Sequence, residues 1–484
     1  MSNTGNLQKQ DGFQSKWGFI MACIGSAVGM ANIWRFPAMV STYGGMTFLL
    51  PYFLFVLLIG SSGVMEEFAL GRWAGAGPVG AFGKCTEERT GDRRLGEYIG
   101  ALPIIGSMGL AIGYSVVMGW IFKYTAMAFT GELYAMGQDM AVIGGTFDVV
   151  AVDNAPWVIV AVVVSFLIMS LGVAGGIELS CKFMMPLLFG LLLVLAVYVA
   201  FLPGAVDGYQ YIFTLNPAGL ANPKVWIYAF GQAFFSLSVA GNGSVIYGSY
   251  LGRDVGIPGS ARNVAVFDTI AALLAAFVII PAMATTGEQL SAGGPGLMVI
   301  YLVNVFNGMP GGRLVGIVFF LCVVFAGVSS IINLYEAPVA FLQEKFRMKR
   351  VSAVGIIHAV GVVVATLIQA ITSQWMDAVS IYICPFGALL AGVMFFWVLK
   401  KETVLDAVSL GNHKAVGGWF YPVGRYLYCP LCLVALIAGA ILGGIGGIAP
   451  SNRPAFRLAG SACRKSFFDK LLQVFRTSKS SKNL

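Results

Sequence analysis

Apolar runs of about 17–25 residues, long enough to cross a hydrocarbon core as a helix, recur at 17–40, 46–70, 99–129, 157–175, 183–203, 225–250, 262–286, 313–343, 352–372, 379–399 and 424–448. The pattern predicts an all-α polytopic membrane protein with eleven transmembrane helices. Two runs are interrupted. The first carries Gly25, Gly29, Asn32, Arg35 and Pro37 inside an otherwise apolar stretch, and the sixth, Gly231 to Tyr250, is apolar at its ends with Gly, Ser and Asn at its centre. In hydrocarbon every unpaired amide or carbonyl is expensive, so residues that loosen a helix there are tolerated where the freed groups line a cavity or hold an ion. Glycines that merely let helices pack closely are the alternative for either segment alone. Because spans 1 and 6 each open a group of five, the chain reads as a 5+5 inverted repeat with broken helices 1 and 6. The repeats cover 17–203 and 225–399, flanked by an N-terminal segment (1–16), an added span (424–448) and a basic tail (449–484).

Composition fits this setting: 58% of residues are hydrophobic and 11% charged, against roughly 25% charged in soluble domains. The net charge of +8 resides in short loops and the tail, so nothing suggests a nucleic-acid partner; the partner is the lipid bilayer. Arg72, Lys84, Arg89, Arg93 and Arg94 follow span 2, Lys345 to Arg350 follow span 8, and Lys400, Lys401 and Lys414 follow span 10. By the positive-inside rule these loops and the N-terminus are cytoplasmic in a multi-pass cell-membrane protein. The loop from Gly131 to Pro156 has four acidic residues and no basic one, which fits the outside. Eleven spans would also put the basic tail outside, against the rule; its stretch Ser466 to Phe475 has helical apolar spacing and reads either as a membrane-surface helix or as a solvated tail. Cys429 and Cys432, and the isolated His358 and His413, read as structural. No nucleophile, base and orienting group cluster on the loops, so an enzyme is not expected.

Six motifs run in order across spans 1–10: Gly25-Ser-Ala-Val-Gly-Met-Ala-Asn-Ile-Trp-Arg-Phe-Pro37, the Gly-Gly and Pro-Tyr of Gly44 to Tyr52, Glu67-Phe-Ala-Leu-Gly-Arg72, Gly113 to Trp120, Gly231-Gln-Ala-Phe-Phe-Ser-Leu-Ser238 and Phe325-Ala-Gly-Val-Ser-Ser330. In these the chain resembles the neurotransmitter:sodium symporters, the family with the leucine-transporter fold, in its bacterial eleven-span form. The resemblance implies a sodium-coupled secondary active symporter that imports an amino acid or a similar zwitterion by alternating access. A sodium-dependent receptor or channel-like protein of the same fold is the alternative.

Sodium wants hard oxygen ligands, and a zwitterion wants a helix N-terminus for its carboxylate and carbonyls for its ammonium. By similarity, one sodium is held by the Ala27 carbonyl, Asn32, Ser236 and Asp268, and a second by the carbonyls of Gly25, Val28 and Ala326 with the hydroxyls of Ser329 and Ser330. For the two serines alone, back-bonding to a helix carbonyl is the competing reading. The substrate pocket comprises Ser26, Ala27, Met30, Ala31, Leu110, Tyr114, Phe235, Ser236, Ser238, Gly241, Asn242, Ser330, Ile331 and Leu334. Gly29 stands where monoamine transporters carry an acid, which points to an amino acid. Gly241 and Asn242 depart from the family pattern, as does Ala31, and leave the side-chain class open.

Asp268 is a carboxylate inside a span, a functional position by default, at a place where the resemblance expects Asn. Alongside Tyr52, Gln232 and Ser236 it supplies the negative charge that chloride supplies in relatives with a serine where this chain has Ala272. Chloride is therefore not expected to be required; proton antiport through Asp268 stays open. The outer gate is Arg35 with Phe235 and Tyr114, its acidic partner Asp377 or, in another register, Ser380 in its place. The inner gate pairs Glu344 with Lys9, braced by Tyr250, unless Lys9 is simply a solvated tail residue. Glu67 is expected to bond the backbone of the broken helices. Oligomeric state is not legible.

Overall fold

Helix α1 (Lys16–Ala27) starts where the Ser15 hydroxyl accepts the Gly18 amide at 3.0 Å and stops at Val28, whose ψ of 94° leaves the helical region. The chain resumes as α2 (Ala31–Tyr43), bent 52° from α1. The first expected break is thus present, at Val28 to Met30. The computed structural model describes residues 12–239, 242–286, 296–412 and 414–442; Lys9, Gly241, His413, residues 443–448 and the tail 449–484 lie outside the described residues.

Helices follow one another without a strand among the described residues: α3 (Met46–Ala74), α4 (Pro78–Thr90), α5 (Arg94–Thr130), α6 (Glu132–Ala135), α7 (Met140–Val152), α8 (Ala155–Ser170), α9 (Val173–Ala200), α10 (Ala205–Phe213), α11 (Pro223–Ser236) and α12 (Gly243–Ser249). Then come α13 (Ile257–Thr285), α14 (Leu297–Gly308), α15 (Gly312–Phe346), α16 (Arg350–Leu367), α17 (Gln369–Val398), α18 (Lys401–Ser409) and α19 (Phe420–Leu442). Of these, α3, α5, α9, α13, α15, α16, α17 and α19 are each long and apolar enough to cross a membrane, and α1–α2 and α7–α8 are so as bent pairs. The second expected break separates α11 from α12, with Ser238 and Asn242 at φ of +57° and +50°.

The acidic segment after α5 is not a loop. Asp139 accepts the amides of Ala141 at 2.9 Å and Val142 at 3.2 Å and so starts α7, which buries Ile143, Phe147 and Val150 at helical spacing. Its acids cap and decorate a helix rather than marking irregular chain.

The centre is built by α15, which packs along α5 and against α9 and α1, and by α3, which packs on both α11 and α12. At Gly71 a Cβ would meet the Val245 carbonyl oxygen at 1.9 Å, so only glycine admits α12 this close. His358 is a satisfied core residue, its ring nitrogens 2.9 Å from the Val354 carbonyl and 3.0 Å from Ser165 Oγ.

Candidate functional site

Three polar side chains from three helices converge beside the first break. Asn32 Nδ2 on α2 donates to Asp268 Oδ1 on α13 at 2.7 Å and to Ser236 Oγ at the end of α11 at 3.1 Å. Ser236 Oγ donates to Asp268 Oδ2 at 2.8 Å, and Asn32 Oδ1 accepts the Gly29 amide at 3.1 Å. All three side chains are fully buried, and buried polar groups persist only when bonded in this way. Tyr52 lies next to Asp268, Ser236 and Thr269. Both amide atoms of Gln232 are buried without a hydrogen-bond partner, so buried polar groups extend beyond the triad.

On the other flank of the break, Gly25 and Gly29 lie against α15. A Cβ at Gly25 would meet Ser329 Cβ at 3.0 Å and Cys181 Sγ at 3.1 Å, and one at Gly29 would meet Ser330 Oγ at 2.7 Å. Both glycines are therefore spacers that bring the opened backbone onto two hydroxyls. Ser329 Oγ and Ser330 Oγ each donate to the Ala326 carbonyl at 3.0 Å, the back-bonding geometry, which leaves their lone pairs available.

The two breaks are tied directly: Ser238 Oγ donates to the Ser26 carbonyl at 2.6 Å. Asn242 turns its amide away from this point and donates to Glu67 Oε1 at 3.0 Å, with the amides of Ser244 and Val245 also at that carboxylate. Glu67 thus bonds the start of α12. Among the remaining pocket residues, Met30, Ile331 and Leu110 are buried, whereas Ala31, Tyr114, Phe235 and Leu334 are half-buried. Ser107 Oγ donates to the Leu334 carbonyl at 2.7 Å, which holds the Leu110 turn of α5 against the Ile331 turn of α15.

Toward one end of the site the Arg35 guanidinium lies 4.9 Å from the centre of the Phe235 ring and next to Tyr114. The three expected outer residues are therefore together. Asp377 forms no ion pair with Arg35: Trp375 Nε1 donates to the Gly109 carbonyl at 2.7 Å, Met376 fills the space opposite Gly113, and Asp377 is exposed. Ser380 bonds back to Met376 within its own helix at 2.6 Å.

At the opposite end Glu344 Oε1 accepts the Gly77 amide at 2.9 Å. Tyr250 bonds Glu336 rather than Glu344, at 2.7 Å. Glu336 in turn forms a two-point pair with Arg350, at 2.9 and 2.8 Å, and Arg350 Nε reaches the Met169 carbonyl at 2.9 Å. Glu178 accepts the Gln14 amide at 2.7 Å, the Ser15 hydroxyl at 2.8 Å and Lys182 at 2.6 Å, anchoring the start of α1. Sequence reasoning passed over Glu336, Arg350 and Glu178. A signal existed for the first, since Glu336 is a carboxylate inside an apolar run; Arg350 had counted only as a loop charge.

A family model described as the sodium:neurotransmitter symporter family matches residues 10–141 and 142–442. An uncharacterized sodium-dependent transporter of Bacillus subtilis, YhdH, is 30% identical over 454 residues, covering 90% of this chain and 98% of its own. An uncharacterized sodium-dependent transporter of Methanocaldococcus jannaschii is 28% identical over 473 residues, 91% of this chain and 93% of its own. Among solved structures, MhsT in complex with L-phenylalanine superposes with a TM-score of 0.78 at 31% identity, covering 89% of this chain and 99% of that one.

Proposed function

The chain belongs to the sodium:neurotransmitter symporter family and is a sodium-dependent membrane transporter, not an enzyme, and we propose that it imports an amino acid or a close zwitterionic analogue by alternating access. The observation that carries this reading is the meeting of Asn32, Ser236 and Asp268 beside the opened backbone after Ala27. In it one sodium takes the Ala27 carbonyl, the Asn32 and Ser236 side chains and Asp268. A second takes the carbonyls of Gly25, Val28 and Ala326 and the hydroxyls of Ser329 and Ser330. These are hard oxygen donors of the kind sodium requires, and the break supplies carbonyls that a continuous helix would keep for itself.

The substrate carboxylate lies toward the first sodium and the Tyr114 hydroxyl, its ammonium toward freed carbonyls, and its side chain among Met30, Leu110, Ile331 and Leu334. The likeness to MhsT, whose structure holds L-phenylalanine, favours a large neutral side chain. Asp268, next to Tyr52, supplies with Gln232 and Ser236 the negative charge that chloride supplies elsewhere, so transport runs without chloride. Arg35 over Phe235 closes the outer side. On the cytoplasmic side, where the basic loops put the N-terminus, closure rests on the Glu336, Arg350 and Tyr250 network with Glu344.

The test is a thermal-shift screen of amino acids with and without sodium on the purified protein, then uptake of the best ligand into proteoliposomes. A sodium-dependent shift and sodium-driven accumulation are expected. Sodium-independent uptake overturns the symport reading, and sodium-dependent binding without uptake replaces it with a receptor.

A further inference from the structure

Glu66, the residue before Glu67 on α3, is fully buried, and neither of its carboxylate oxygens has a hydrogen-bond partner. The nearby cations are engaged elsewhere. Arg72 donates to the carbonyls of Val255 at 2.6 Å, Ala407 at 3.1 Å and Leu410 at 2.7 Å. Lys84 reaches the Trp73 carbonyl at 2.6 Å, and Arg425 bonds Tyr421 and stacks 4.1 Å from the centre of the Trp397 ring. The titratable groups that face Glu66 are Cys85 from α4, Tyr428, Cys429 and Cys432 from α19, and Glu67 on its own helix. Among the described residues the other elements packed on α3, which are α2, α11, α12, α13, α17 and α18, direct no charge at it. The Tyr428 ring lies on Gly63, one turn before Glu66, where a Cβ would meet its hydroxyl oxygen at 2.8 Å; that hydroxyl is also buried, and it lies next to the Cys432 thiol.

A bare carboxylate in such a place is too costly to persist, so something neutralises it. A hard metal cation needs a shell of oxygens, and thiols with a single phenol do not form one. A proton needs only the carboxylate itself. Two adjacent buried carboxylates also cannot both stay ionised, and Glu67 is the one with a hydrogen-bond donor, the Asn242 amide at 3.0 Å. We propose that Glu66 is a proton-binding site: it is held as the neutral acid beside the Tyr428 hydroxyl, and its proton leaves Glu67 ionised to anchor Asn242 at the second break. Loss of that proton puts a second negative charge next to Glu67 and loosens the anchor. The anchored state is therefore intact while Glu66 is protonated and is lost as pH rises through its titration.

The test uses infrared spectroscopy of the full-length protein in detergent, with wild type, Glu66→Gln and Tyr428→Phe. At neutral pH the wild-type spectrum is expected to contain a protonated-carboxyl carbonyl band that Glu66→Gln lacks, that Tyr428→Phe shifts, and that sodium chloride leaves in place. Across an alkaline titration that band disappears together with a fall in melting temperature that Glu66→Gln does not share. A wild-type minus Glu66→Gln difference showing only ionised carboxylate at neutral pH overturns the proposal. So does a band abolished by sodium, which would make the site a cation site. If Glu66→Gln does not fold, the Tyr428→Phe shift decides alone, and its absence overturns the pairing.

Discussion

The Ser238 hydroxyl donates to the Ser26 carbonyl across 2.6 Å, so the two broken helices are joined at their breaks and not only through neighbours. Ser238→Ala removes a neutral bond worth about 1 kcal/mol and strands a buried carbonyl. We expect a lower melting temperature together with roughly fivefold weaker substrate binding, read by thermal denaturation and equilibrium binding. Loss of stability with unchanged affinity would show that the bond does not shape the pocket.

Asp268 is bonded by both Asn32 and Ser236, and the proposed first sodium site draws on its charge. Asp268→Asn keeps shape and removes charge, and sodium affinity is expected to fall tenfold or more, about 1.4 kcal/mol. Replacing chloride by gluconate should leave wild-type uptake unchanged; proteoliposome uptake in the two salts measures it, and loss of uptake in gluconate would refute chloride independence.

The buried pair of Glu336 and Arg350, exposed by 0% and 9% at their side chains, is sensitive to removal of one partner. Arg350→Ala leaves the Glu336 carboxylate uncompensated, and we expect a loss of about 3–5 kcal/mol. Glu336→Gln keeps an acceptor for Tyr250 and should lose less. Denaturant unfolding of both variants ranks them, and the reverse order would remove the network from the account of inner closure.

Gly29 and Gly316 make a matched pair. A Cβ at Gly29 presses on Ser330 Oγ, whereas one at Gly316 meets nothing within 4 Å. Gly316→Ala on the regular helix α15 should be neutral or stabilising by up to about 1 kcal/mol, while Gly29→Ala should cost about 1–3 kcal/mol and weaken sodium binding further. Sodium titration by thermal shift separates the two. Equal sodium affinity in both variants would remove Ser330 from the proposed second sodium site.

Both breaks could be read from the chain because small and polar residues inside an apolar run violate a strictly local rule, and Gly25, Asn32, Ser236 and Asp268 follow from it together with the family motifs. What escaped depends on how distant helices face one another. Glu336 and Arg350 are visible as charges, but only the packing of α15 and α16 near Met169 shows that they pair. That Asp377 stays exposed while Met376 settles against Gly113 on α5 is a matter of packing that no spacing along α17 reveals. Helix α7 was hidden because its acids resemble loop composition, whereas Asp139 uses its carboxylate to start the helix.

Ser238 and Asn242 hold positive φ without being glycine, a conformation that disfavours such residues by about 1–3 kcal/mol each. A glycine in either position would act as a swivel, indifferent to its angle. A serine and an asparagine there, each fastened by its side chain to Ser26 or Glu67, hold that cost against the bond, so releasing either bond favours relaxation of its backbone.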